Sequence, residues 1–167
     1  MIRAGFSPLF NELQKGFSQF NMNKSLLLDI IKSKLSEKIN NLEKLIAETR
    51  ASSNDTKSSM GDKYETGREM LQQEINNLQI QLNEVVKQKD FLKTVLPKIA
   101  DKAEKGAIVK TEKGLFFISV SLGEVSFENQ KIICISPESP LAKAMYGKKE
   151  NDRFSLNNMN QQIVEIQ

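Results

Sequence analysis

Two apolar heptads separated by a serine-rich stretch limit this chain more than any other feature. Leu28, Ile31, Leu35, Leu42 and Leu45 fall at a and d positions of a helix running to about Arg50, with Lys38 in one slot and Ile39 beside it. Leu71, Ile75, Leu78, Leu82, Val85 and Leu92 mark a second helix, with Lys89 in one slot and Pro97 set to end it. Each stripe must be buried, and the nearest partner for one is the other. Residues 51–61 hold four serines, Asn54, Asp55 and Gly61, the composition of a connection. An antiparallel coiled-coil hairpin is therefore expected over 22–105, with its tip loop near 51–62. At 1.5 Å per residue, about 25 residues per arm give a rod roughly 40 Å long. A simple connector needs only about 2 to 8 residues, so a longer, acid-bearing tip points to function there. Scaffolding, or dimerisation through the same seam, is the plainer use of such a pair.

Beyond residue 105 the pattern changes. Gly106, Gly114 and Gly123 punctuate β-rich stretches at 107–110, 115–120 and 131–135. Ser139 and Pro140 read as the cap and first residue of a short helix through Met145, with Gly147 placed to end it. Strands at 152–156 and 161–166 follow, with Asn157, Asn158 and Asn160 as turn formers. The expected class is α+β: a helical hairpin, then a small β-rich domain over 106–167 with one short helix. A hydrophobic content of 39% divides more easily into two modest cores than into one large core.

Charge and composition exclude several chemistries. The net charge of +3 is spread along the chain, with no excess in 106–167, so no basic face marks direct nucleic-acid binding. Any nucleic acid is expected to be met through another protein. Cys134 is the single cysteine and there is no histidine, which removes internal disulfides, ordinary zinc sites and histidine-based triads. Carboxylates remain as metal ligands and favour hard cations such as magnesium. A reducing cytoplasm is the expected compartment, and the apolar run at 26–31, broken by Asp29, is too short to span a bilayer.

Residues 1–21 stand apart. Phe6, Leu9, Phe10, Leu13, Phe17 and Phe20 recur at helical spacing, which suits a docking or surface-seeking helix. It equally suits a segment packed on the protein itself, or an extension ahead of a start at Met22.

The stretch at 135–152, ISPESPLAKAMYGKKEND, resembles the C-terminal signature of the Gre-type bacterial transcript-cleavage factors. Ile135, Ser136, Ser139, Pro140, Leu141, Ala142, Lys143, Ala144, Gly147, Lys148 and Asp152 match it in order and spacing, while Met145, Tyr146 and Asn151 depart conservatively. The hairpin resembles the same family, with Asp55 at the tip acid, Tyr64 at the tyrosine opening the second helix, and Arg68 and Glu69 at the pair that follows. The spacing from Asp55 to Tyr64 is longer than the family's, and Ser58 and Met60 stand where its second acid would lie; Asp62 is the nearest replacement.

The resemblance implies an FKBP-like C-terminal domain that docks on bacterial RNA polymerase, and a rod that enters the secondary channel. There the tip would stimulate cleavage of backtracked RNA by the polymerase's own hydrolytic chemistry, so the chain would be an accessory factor and not itself an enzyme. Tip carboxylates would share a Mg2+ ion held only in the complex, with Asp55 first, Asp62 second and Glu65 third. Each has a structural alternative: Asp55 after Asn54 suits an Asx turn, and Asp62 with Glu65 makes a capping box. Docking would fall to Ser139, Pro140, Leu141, Ala142 and Lys143, with Lys148 adding charge at the rim. Two alternatives follow: a polymerase-binding regulator of the same fold without cleavage activity, or a coiled-coil adaptor or FKBP-like prolyl isomerase. Against the isomerase, Phe116, Phe117, Phe127, Tyr146 and Phe154 are more simply core residues. A hairpin that buries its own seam should be monomeric.

Overall fold

The computed structural model describes residues 21–55 and 62–167; for 53–55 and 62–64 it describes the backbone alone. Helix α1 (Lys24–Asp55) and helix α2 (Asp62–Leu92) pack along their length as the hairpin. Strands β1 (Ile108–Thr111), β2 (Gly114–Ile118), β3 (Gly123–Phe127) and β4 (Gln130–Ile135) follow. Helix α3 (Pro140–Met145) precedes β5 (Arg153–Leu156) and β6 (Met159–Ile166). The strands form one six-stranded sheet in the order β3-β4-β2-β1-β6-β5. Every neighbouring pair is antiparallel except β2 with β4. The α+β class and the order of parts are those expected.

The hairpin is longer than its heptads indicate. Asn23 caps α1, its side-chain oxygen accepting from the Leu26 N–H at 3.1 Å. The helix then runs through the serine-rich stretch to Asp55, where the Ser52 hydroxyl donates back to the Glu48 carbonyl at 3.2 Å. With 32 residues, α1 is about 48 Å long. The connection shrinks from the expected 51–62 to 56–61, within the ordinary range for two packed helices, so loop length no longer argues for a special tip.

The second heptad holds along α2. Ile75, Leu78, Val85 and Leu92 are buried, and Leu71, Leu82 and Lys89 are half-buried between them. The first heptad needs a correction. Ile31, Leu35 and Leu42 are buried as expected, but Leu27 is buried ahead of Leu28, and Ile46 is buried while Leu45 is 43% exposed. A strict heptad would bury Lys38. The seam instead steps four residues from Leu35 to the half-buried Ile39 and continues through Leu42, Ile46 and Thr49. Desolvating an unpaired ammonium is unfavourable, so the stripe rotates to the apolar side chain.

Among the described residues two apolar clusters form, but they do not divide between hairpin and sheet. The first is continuous from the seam, through Leu27, Leu92 and Val95, onto Ile108, Phe117, Val125, Phe127 and Ile132 of one sheet face. The second lies on the other face, where Val109, Ile118, Phe154 and Ile163 meet Ala142 and Met145 of α3. Strand periodicity explains this sorting: Ile108 and Val109, and likewise Phe117 and Ile118, point to opposite faces. With both faces covered, β2 reads as a continuous apolar run.

Turns follow local chemistry. Asn157 and Asn158 have φ of 51° and 62°, the positive values that a two-residue hairpin between β5 and β6 demands. Asn160, expected in that turn, instead pairs with Ser155 inside the ladder. Glu128 and Asn129 adopt the same conformation between β3 and β4. Strand β3 lies outside the expected β stretches, although Val125 and Phe127 alternate inward along it.

Candidate functional site

Two places hold the residues singled out above: the end of the rod and the corner around α3. At the rod end, Asp55 is the last residue of α1 and Asp62 the first of α2, so the fold brings both to the same end of the hairpin. Their side chains, and residues 56–61 with Ser58 and Met60, lie outside the described part, as does the Phe-rich leader through Phe20. Glu65, within the first turn of α2, is exposed.

The two aspartates meet opposite ends of a helix dipole. Asp62 sits where partial positive charge gathers, which stabilises a carboxylate by about 0.3–1 kcal/mol. Asp55 sits at the negative end of α1, whose last turn contains no basic residue. A carboxylate there is mildly unfavourable for the helix, and a cation brought to it would relieve that. Helix polarity therefore favours an acid at position 62 and disfavours one at position 55. Among the described residues no group of three or more acidic, cysteine or histidine side chains could hold a metal ion.

The α3 corner can be built from its sequence. Ser139, with extended backbone (φ −62°, ψ 147°), accepts the Ala142 N–H on its hydroxyl at 3.2 Å. Pro140 occupies the first turn, where a missing N–H costs nothing. After Tyr146, Gly147 takes φ 74° and its N–H donates to the Ala103 carbonyl at 2.8 Å, while the Ala103 N–H donates to the Lys148 carbonyl at 2.7 Å. Asp152 closes the next turn by accepting the Lys149 N–H at 2.8 Å. Cap, proline, glycine and aspartate of the 135–152 stretch thus all have local structural duties.

Of the expected docking residues, Ala142 alone is buried. Ala142 is 3% exposed and belongs to the core with Met145, because the inward face of so short a helix holds only those two side chains. It is corrected from contact residue to core residue. Leu141 and Ala144 pack partly against the same cluster. Ser139 and Lys148 are half-buried, and Pro140 and Lys143 are exposed. Lys143 Nζ lies 2.9 Å from Glu138 Oε2, a solvent-facing pair worth little to stability. Sequence reasoning missed Tyr146, grouped above with the core aromatics but 74% exposed beside α3. The helix phase holds the signal: with Met145 inward, its neighbour points out. Phe116, Phe117, Phe127 and Phe154 are buried, as expected.

Beside this corner a groove of about 450 Å³ runs between α2 and the sheet, lined in part by Phe91, Lys105, Val120, Pro137 and Glu138. Lys105 Nζ stands 5.6 Å from the centroid of the Phe91 ring, a cation–π contact across its rim. Below the groove, burial pushes the Cys134 thiol up to about 12, against a smaller opposing effect of the Ser119 hydroxyl, so it is unreactive at neutral pH. Among the described residues, no helix is long and apolar enough to cross a membrane.

No family model matches the chain. No curated protein matches it either. Among solved structures, the chain is similar to the structure of the transcription factor Gfh1, at 16% identity over 81% of this chain and 92% of that one, with a TM-score of 0.34, too low to carry an argument about function.

Proposed function

We propose that this chain is a transcription factor that docks on bacterial RNA polymerase through its sheet domain and presents the rod end within the secondary channel, stimulating cleavage of backtracked RNA. The observation that carries this reading is the 135–152 match to the Gre-type signature, with Pro140, Lys143 and Tyr146 at the surface beside it. A rod of about 48 Å with acids at its far end suits delivery of carboxylates to a recessed active centre. Asp55 and Asp62 are the residues that would share a Mg2+ ion, with Glu65 behind them; carboxylate oxygens suit that ion, and the polymerase would complete its coordination. Such an ion would stabilise charge on the attacking and leaving oxygens. The chain would be an accessory factor, monomeric and cytoplasmic, meeting nascent RNA only within the polymerase; a concentration-independent mass by light scattering checks the first of these.

One observation favours a second reading, a polymerase-binding regulator without cleavage activity. Ser58 stands where the Gre-type pattern has its second acid, and α1 and α2 leave only 56–61 between them. RNA cleavage in backtracked complexes, with binding recorded in parallel, separates the two. Faster cleavage that Asp55→Ala abolishes without weakening binding supports stimulation. Binding with no acceleration by wild type transfers the proposal to the regulator.

A further inference from the structure

The base of the rod is held by polar groups that the proposed function does not use. Gln167, following β6, has its backbone tied to β1: its N–H donates to the Ile108 carbonyl at 2.9 Å, and its carbonyl accepts the Ile108 N–H at 2.8 Å. Its side chain turns to the segment entering α1, where Oε1 accepts the Met22 N–H and Nε2 donates to the Met22 carbonyl, both at 2.7 Å. The primary amide thus pairs with a peptide group as another strand would. Two residues on, Lys24 Nζ donates to the carbonyls of Gly106 at 2.8 Å and Lys98 at 2.5 Å. Lys24 and Gln167 are 4% and 7% exposed. The start of α1 is therefore fastened by four hydrogen bonds, three buried and the one to Lys98 partly buried, to the β1–β6 ladder, the segment after α2, and Gly106 two residues ahead of β1.

We propose that Lys24 and Gln167 are positioning residues that fix the heading of the rod on the sheet. The apolar cluster beneath them holds the hairpin down, but apolar burial is non-directional and tolerates rotation of a helix over a sheet face. Hydrogen bonds are lost when the donor angle departs far from linear. Leverage makes the distinction matter, since a tilt of about 10° at the base moves the end of a rod of this length by roughly 8 Å. This inference goes beyond the functional reading and stands whether or not a polymerase receives the rod.

The test is a distance distribution in the full chain, between spin labels at Ile80→Cys on the rod and Met159→Cys on β6. Both positions are exposed, at 61% and 55%, while Cys134 is buried and stays unlabelled. With native side chains at the base, the distribution should be single and narrow. Gln167→Ala and Lys24→Met should each broaden it at least twofold, at a temperature well below the variant's unfolding midpoint and with the circular dichroism unchanged. Ser139→Ala, which weakens the fold away from the base, should leave the width as it was. Widths equal to wild type in both base variants would overturn the proposal and assign the heading to the apolar cluster alone. Should Lys24→Met fail to purify, Gln167→Ala, which removes no charge, decides the matter.

Discussion

The two ends of the rod are built on different principles. At the base, α1 and α2 merge with a sheet face into one apolar cluster, and buried hydrogen bonds add direction to it. Toward the far end, the last buried apolar residues among those described are Ile46 on α1 and Ile75 on α2, followed by the hydroxyl-bearing Thr49 and the half-buried Leu71. Thr49 remains in the seam by donating its hydroxyl to the Leu45 carbonyl at 2.8 Å. The base thus rests on a core shared with the sheet, while Thr49 and Leu71, toward the far end, bury less apolar surface, and local stability follows that difference.

This contrast can be broken most forcefully at the sheet. Phe117 is fully buried where hairpin and sheet share a core, and Phe117→Ala should cost about 3–5 kcal/mol, read by denaturant unfolding as one transition in which helix and sheet signals are lost together. Separate transitions would show that rod and sheet fold independently. The corrected seam is tested next: Leu35→Ala should cost about 2–5 kcal/mol and Ile46→Ala nearly as much, while Leu45→Ala, at a 43% exposed site, should stay within about 1 kcal/mol. Equal costs at Leu45 and Ile46 would restore the strict heptad. Loss of the Ser139 cap in Ser139→Ala should cost about 1 kcal/mol, the α3 corner having this one side chain on its first turn.

Lys24 supplies a pH test of the base. Burial lowers its pKa from 10.5 to about 8, so below pH 8 both folded and unfolded chains carry the charge and the fold bears its desolvation. Between about 8 and 10.5 the unfolded chain holds a proton that the folded chain has shed. Stability relative to Lys24→Met should therefore rise with pH across that window and level off above it, as measured by unfolding at fixed ionic strength. A flat difference would mean that the ammonium keeps its charge on the two carbonyls. The smallest effects belong at the tip: Asp55→Ala should change stability by no more than about 0.5 kcal/mol in either direction. The same variant should abolish any stimulation of RNA cleavage while binding persists.

Local chemistry made much of this molecule readable in advance. Two stripes at heptad spacing need each other, which gave the hairpin and, along α2, its seam residue by residue. Ser139, Pro140 and Gly147 specify a start and a stop within a few residues, and α3 obeys them, because caps and positive φ are decided by nearest neighbours. Around α3 the sequence supplies residue types but not their facing: Ala142 turns into the core and Tyr146 out to the surface. Which side of a six-residue helix faces inward depends on the sheet beneath it.

Position along the chain could not decide the rest. Ile39 and Ile46 enter the seam in place of Lys38 and Leu45 because α2 and the sheet base fix the rotation of α1, a choice made by packing. The parallel pairing of β2 with β4, and the burial of both sheet faces, arise from contacts far apart in sequence. Nothing near Lys24 or Gln167 marks them as buried, since their partners come from distant segments brought together only by the completed fold. Short-range preferences settle elements and caps; the rotation of a helix and the value of a polar group at a junction are settled by the surfaces that close around them.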